Sequence, residues 1–229
     1  MARRRKRQPG HVNAIQQILS RYDAVADPRI ARLDERVSLA GKHILELGSF
    51  CGGHTLAMCR RAAAEVVGLD VRPQNLVVAM QTRKRHISEM QQARFKHYDV
   101  RNLRAVDWPG FDLVLCIGVL YHLLRPDMLL RELGRLAPHT YLWTHFATES
   151  QPHGEWTSIG GAFGPMTGKW WPESDGPISA CDRMSFWLRY DELLRLIAAS
   201  GMSAAEVQVL APNPQYGQLS TAELLLTRP

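Results

Sequence analysis

The sequence lacks most of what would commit it to a membrane, a disulfide scaffold or a metal knot. No apolar run in its 229 residues reaches the roughly 20 residues of a membrane-spanning helix. The basic start, Arg3-Arg4-Arg5-Lys6-Arg7, runs into Gln8-Pro9-Gly10-His11 rather than the apolar core of a secretory signal. A cytoplasmic protein with no membrane partner is therefore expected. Cysteine is scarce: Cys51, Cys59, Cys116 and Cys181 do not have zinc-knot spacing, and a reducing cytosol would keep them as thiols. His122, His145, Glu149, His153 and Asp182 are too dispersed to show a ligand spacing, so no metal is expected. Internal repeats, a second-domain linker and a recognisable RNA-binding module are missing as well.

Charge is thinner than the total suggests. Of the net +6, the five residues Arg3 to Arg7 supply all but about one unit, so the basicity is a tail and not a patch. Residues 1–10 read as a disordered, solubilising start; attraction to nucleic acid is the alternative. What remains is 45% apolar and long enough for one substantial α/β domain.

The chain alternates strands and helices. Helical spacing over 13–28, stopped at Pro28, and over Ile30 to Leu39 predicts an N-terminal helical cap across 11–40. Strands are expected at His43–Leu47, Glu65–Asp70, Ala93–Tyr98, Phe111–Ile117 and Tyr141–His145, with helices at Thr55–Arg61, at Asn75 to about Glu89, and after Pro126 through about Leu136. Asp182 to Ser185 would open a last helical region running through Leu193, Leu196 and Ile197 to a stop at Gly201. Strands at Glu206–Leu210 and Leu219–Thr227 would close the sheet, the last of them antiparallel. The resulting expectation is a mainly parallel sheet with helices on both faces, occupying 41–229.

Between the fifth expected strand and the last helix the character changes: residues 146–182 hold six glycines with Trp156, Phe163, Trp170 and Trp171 between them. This is expected to be an ordered insertion whose rings either enclose an apolar substrate or pack onto the sheet.

The organising stretch is Glu46-Leu47-Gly48-Ser49-Phe50-Cys51-Gly52-Gly53, where a buried strand ends in glycines before a helix. Such a turn lets backbone approach a ligand. In a doubly wound sheet ligands sit beyond the carboxyl ends of the strands, so Asp70, Asp99 and the Gly118 to His122 turn share one rim with this loop. Asp70 is suited to ribose hydroxyls and Asp99 to the amino group of a base. A nicotinamide site is the nearest competitor, but the loop is not a clean GxGxxG.

With these residues in view, the sequence resembles the class I S-adenosylmethionine-dependent methyltransferases. Glu46 to Gly53 is similar to that family's first motif, Asp70 to its ribose acid, Asp99 to its adenine acid, and Phe111-Asp112-Leu113-Val114-Leu115-Cys116 to its fourth strand. Gly118-Val119-Leu120-Tyr121-His122 resembles a subgroup that includes tRNA wobble-uridine carboxymethyltransferases and related small-molecule enzymes. Phe50 departs from the pattern, standing where the family often has another glycine. The resemblance implies a Rossmann-like fold with a seven-stranded sheet. It implies S-adenosylmethionine as cofactor, with S-adenosylhomocysteine as product, held by Glu46, Gly48, Ser49, Cys51, Gly52, Asp70, Val71, Asp99, Val100, Gly118 and Tyr121.

Methyl transfer from such a donor to oxygen calls for a base, and His122 and His145 are the candidates. Tyr121, Glu149, Trp156, Trp170, Trp171, Arg183 and Trp187 are the candidate acceptor contacts, the tryptophans favouring a small aromatic or natural-product acceptor. The alternatives are a tRNA-modifying alkyl transferase and a non-catalytic cofactor-binding protein. A homodimer is compatible with the sequence, which shows no surface for it.

Overall fold

The structure, a computed structural model, describes residues 14, 15, 17, 18, 23–108, 110–151, 154–213 and 219–229. The basic tail 1–10, His153, and residues 13, 16 and 19–22 of the helix expected over 13–28 lie outside the described residues.

A seven-stranded sheet forms from β1 (His43–Leu47), β2 (Glu65–Asp70), β3 (Ala93–His97), β4 (Leu113–Ile117), β5 (His139–Phe146), β9 (Ser203–Asn213) and β10 (Leu219–Thr227), in the order β3-β2-β1-β4-β5-β10-β9. The first five strands run parallel, and β10 lies antiparallel between β5 and β9. Strand order reverses between β1 and β4, so the loops leaving them part to opposite sides and open a crevice at their carboxyl ends.

The strands read as continuous apolar runs because both faces are covered. Leu45, Leu47, Val114, Cys116 and Leu142 turn to one face, under α4 (Pro126–Leu136) and α5 (Tyr190–Ala199). Ile44, Leu113, Leu115 and Tyr141 turn to the other, under α1 (Pro28–Arg36) and α2 (Gly53–Cys59). On α5 the i, i+3, i+4 set Leu193, Leu196 and Ile197 is buried, each side chain contributing about 1.5–3 kcal/mol. The remaining helix, α3 (Pro73–Arg85), packs beside β2 and β3.

Pro28 does not merely interrupt a helix; it occupies the first turn of α1, where its missing N–H costs nothing, and Asp27 caps that turn by accepting from Arg29 N. Likewise α3 starts at Pro73, two residues ahead of the expected start, and ends at Arg85.

The insertion expected over 146–182 supplies two strands of a second sheet, and the third follows it. β6 (Thr157–Ile159), β7 (Met166–Pro172) and β8 (Met184–Leu188) pair antiparallel, so β8 replaces the helical start expected at Asp182 to Ser185. Met166, Phe186 and Leu188 join the main core. The strands crowd at Gly168, where a Cβ would lie 2.2 Å from the Trp187 carbonyl oxygen, so no side chain fits there. This excursion leaves and rejoins the main sheet at one place: Ala147 bridges Arg189, and its N–H donates to the Leu188 carbonyl at 2.8 Å.

Candidate active site

The crevice at the strand-order reversal holds a cavity of about 570 Å³, the size of a cofactor site, with a mainly apolar lining. Its floor is the β1–α2 loop. Gly48 has φ +73°, and a Cβ there would meet Val119 Cγ2 at 2.7 Å, so the β1 and β4 loops touch across the crevice only because this residue is glycine.

Phe50 shows how the loop tolerates its departure from the family pattern. It adopts φ +46° itself, at a cost on the order of 1–2 kcal/mol for a residue with a Cβ. Its ring packs with Ile15, Cys51 and Val78, and its N–H donates to Asp70 Oδ2 at 2.9 Å. Burial and a fixed hydrogen bond hold the strained conformation.

Asp70, at the end of β2, is 6% exposed and lines the cavity. It also accepts from Arg72 N at 2.8 Å and Asn75 Nδ2 at 3.2 Å. Burial raises its pKa, against the pull of these donors. Asp99, after β3, is clasped by the Arg101 guanidinium, Nη2 to Oδ2 at 2.6 Å, which holds its carboxyl below the usual range despite partial burial. Ser49 lines the same cavity with a buried hydroxyl that has no hydrogen-bond partner among the described residues. Two acids at different depths, an orphaned hydroxyl and a close glycine turn fit a nucleoside linked to a polar amino-acid end, as in S-adenosylmethionine.

At the other end of the cavity, the turn Leu120–His122 brings in Tyr121 and His122, facing Arg29 and Trp143. His122 Nδ1 meets Glu173 Oε1 at 2.9 Å. Glu173 also accepts from the Ser185 hydroxyl at 2.7 Å and the Ala180 amide at 3.1 Å. Burial opposes its charge, but His122 and the other donors win and hold its pKa low. An ionised Glu173 accepts a hydrogen bond from Nδ1–H, which leaves Nε2 as the ring's acceptor. Arg29 stands over the Trp143 ring at 4.6 Å, its guanidinium tied to Asp27.

Of the residues expected from sequence, the cavity brings together Gly48, Ser49, Cys51, Asp70, Val71, Asp99, Val100, Gly118, Tyr121 and His122. Burial pushes the Cys51 thiol up to about 11, so it is a protonated wall residue. Gly52 lies outside the lining, serving as the left-handed cap of α2. The Glu46 side chain lies outside it too. By strand alternation it falls on the Ile44 face, where the Thr55 hydroxyl donates to it.

His145 does not reach the cavity. It is 8% exposed, donates from Nδ1 to the Ser220 carbonyl at 3.2 Å, and stacks on Trp187 at 5.0 Å. Burial lowers its pKa to about 4, so it stays neutral behind Tyr121. The acceptor tryptophans are likewise elsewhere. Trp171 stacks on Trp187 at 4.2 Å, Trp170 packs on Phe186 at 4.9 Å, and Trp156 donates to Glu149 at 2.6 Å. Neither the four tryptophans nor Glu149 line the cavity, and Arg183 is outside it as well. Packing among neighbours consumed rings that composition alone assigned to substrate. Glu173, Arg29 and Trp143 are the residues that sequence reading missed. Among the described residues, no group of three or more His, Cys, Asp or Glu side chains is arranged to hold a metal ion. No described helix is long and apolar enough to cross a membrane.

Glu46 gives a testable pH dependence. Complete burial, with Asp70 adding repulsion, raises its pKa to about 8 against the Thr55 hydrogen bond. A pKa raised by folding means stability that is full below about pH 4.5 and is lost as pH climbs through about 8. The Tm of the wild type is expected to fall between pH 5 and 9 by roughly 3 °C or more relative to Glu46→Gln, which has no proton to lose. Parallel Tm curves in scanning calorimetry would refute the assignment.

Comparison with known proteins bears on this geometry. A methyltransferase domain model matches residues 44–138. The ubiquinone biosynthesis O-methyltransferase of Dechloromonas aromatica (strain RCB) is 37% identical over 112 residues, 47% of this chain and 45% of that protein. The enzyme of the same name from Neisseria meningitidis serogroup A is 30% identical over 112 residues, again 47% of this chain and 44% of its own. The chain thus spans less than half the length of these relatives. Among solved structures, the N-terminal domain of EvdMO1 in the presence of SAH and D-fucose aligns with TM-score 0.77 at 23% identity, covering 90% of this chain and 83% of that one. Magnesium protoporphyrin IX methyltransferase from Synechocystis PCC 6803 with bound SAH aligns with TM-score 0.64 at 16% identity, covering 98% and 90%. The domain match begins in β1 and ends just before β5, and the fold, shared along nine-tenths of the chain, is the Rossmann-like fold of S-adenosylmethionine-dependent methyltransferases.

Proposed function

We propose that the protein transfers a methyl group from S-adenosylmethionine to a hydroxyl oxygen of a small acceptor, with His122 as base. The observation that carries this reading is His122 on the wall of the cavity that also holds Asp70 and Asp99, with Glu173 bonded to its Nδ1 from behind that wall. When bound, the cofactor supplies a methyl group already activated on a sulfonium.

The chain's own residues then have limited work. Asp70 and Asp99 hold the nucleoside end, and Ser49 and the Gly48 turn receive the rest. Tyr121, Trp143 and Leu123 wall the acceptor end and keep water out. His122 accepts the hydroxyl proton at Nε2 while Glu173 steadies the charge on the ring. Tyr121 remains a protonated phenol, since burial raises its pKa well above the ordinary value. The names of the ubiquinone-biosynthesis relatives favour an oxygen acceptor on an aromatic ring, whereas the fucose in the EvdMO1 crystals makes sugar hydroxyls the companion class to offer. The acceptor is read as small because the cavity wall at that end is formed by Tyr121, His122 and Trp143 rather than by a basic groove.

Methyl-labelled S-adenosylmethionine offered to phenols, catechols, sugars and native tRNA in parallel tests the reading. Label in a phenol or sugar hydroxyl is the expected result. Label confined to tRNA, or to nitrogen or carbon, would overturn it.

A further inference from the structure

Glu173, outside the cavity lining, bonds two residues that line it, His122 and Ala180. Its Oε1 meets His122 Nδ1, and its Oε2 takes the Ala180 amide at 3.1 Å. Ala180 belongs to the strap that follows Glu173, residues 174–182, part of which roofs the cavity, while Glu173 N donates to the Arg183 carbonyl at its base. The donor rim grips this strap from the other side. Arg72 Nη2 donates to the Ala180 carbonyl at 2.9 Å, Asn75 Nδ2 to the Pro177 carbonyl at 3.0 Å, and Arg101 Nη1 to Asp182 at 2.8 Å. Each of these three residues also bonds an acid of the cavity: the Arg72 backbone amide and the Asn75 side chain donate to Asp70, and the Arg101 guanidinium donates to Asp99. Hydrogen bonds therefore run without a break from Asp70 through Arg72, Ala180 and Glu173 to His122.

We propose that Glu173 is a positioning residue that orients His122 only while the strap is seated on the donor rim. The proposal rests on the reading of His122 as the base. A carboxylate's two oxygens are fixed in one plane, so anchoring Oε2 on Ala180 sets where Oε1 meets the imidazole. With the strap lifted, Oε2 loses its donor, the carboxylate is held at Oε1 alone by Ser185 and His122, and it can turn about that oxygen. The base is thus set when donor and strap are in place. An acceptor hydroxyl is not stripped of its proton in a cavity that has no methyl group to give.

The test uses the full chain with Glu173→Gln, Arg72→Met and the double variant. In protein carrying ¹⁵N-histidine, S-adenosylhomocysteine is expected to fix His122 in the Nδ1–H tautomer in the wild type, and to leave it exchanging in both single variants. At saturating donor, Glu173→Gln is expected to lower kcat about tenfold or more with acceptor KM nearly unchanged, and the loss should shrink with acceptors already ionised at the assay pH. Arg72→Met is expected to raise the donor KM and lower kcat about fivefold, with no further kcat loss when combined with Glu173→Gln. Losses in kcat that multiply in the double variant, or an Nδ1–H resonance indifferent to the strap, would overturn the proposal. If Glu173→Gln fails to bind S-adenosylhomocysteine, Glu173→Asp, which keeps the charge at a shorter reach, replaces it in the same comparison. A wild type that methylates no hydroxyl, yet shows the coupled resonance, would fail the proposed function and not the coupling.

Discussion

Replacing His122 with glutamine is expected to lower kcat about 100-fold or more for acceptors whose hydroxyl is un-ionised at the assay pH, while affinity for S-adenosylhomocysteine stays within about threefold. Glutamine keeps a polar group at the position but cannot take a proton. Glu173 would then face an amide, with Ser185 and Ala180 still donating to it, so the pocket wall keeps its hydrogen bonds. The size of the effect should follow acceptor acidity: large for an aliphatic or ordinary phenolic hydroxyl, a few-fold for a phenol already ionised. A loss of equal size for every acceptor would make His122 a contact and not a base. His145→Gln is the internal comparison. It is buried behind Tyr121 and neutral, so its replacement should act on stability and leave the dependence on acceptor acidity intact.

The second large effect is expected at the other end of the cavity. Asp70→Ala should weaken S-adenosylhomocysteine binding by about 100- to 1,000-fold in titration calorimetry, since hydrogen bonds to a charged group contribute roughly 1.5–3 kcal/mol each. Two functions fall together in this variant. The carboxylate that would hold the ribose is gone, and so is the acceptor that keeps Phe50 in its left-handed conformation and braces Arg72 and Asn75. Asp70→Asn separates them, because an amide oxygen can still accept from one backbone N–H. Binding intermediate between wild type and Asp70→Ala is expected. Unchanged affinity in Asp70→Ala, with circular dichroism showing an intact fold, would remove Asp70 from the donor site.

The gathering of Gly48, Asp70, Asp99 and the Gly118 turn around one cavity was legible in the sequence because its signals are local. An apolar strand, a glycine turn and an acid at a strand end each occupy a few adjacent residues, and the parallel order of the strands collects them on one rim. Gly48, Asp70, Asp99 and the Gly118 turn could be read in this way. The acceptor end was not, because its contacts are distant in sequence. His122 and Glu173 lie 51 residues apart, and no spacing rule joins them. Strands in the insertion were also missed: Gly168 and Pro172 give β7 the composition of a loop, though Met166, Gly168 and Trp170 alternate with Thr167, Lys169 and Trp171. That alternation was the available signal. A ring-rich stretch reports that something is buried, and here the rings cover one another and the core. His145 was placed at the rim by its nearness to the end of β5, and it does lie there, but its ring is buried against Trp187 rather than open to the cavity.

The bridge between Ala147 and Arg189 brings the two ends of a long excursion side by side. Closing a loop of different length between ends already in contact changes the entropy by only about 0.6 kcal/mol per doubling. The stretch can therefore behave as an exchangeable cassette: its length and sequence can drift while β5 and α5 keep their register. The donor acids lie outside the cassette, whereas Glu173 and the strap lie within it. Related chains could then inherit one donor chamber and part company over what they methylate.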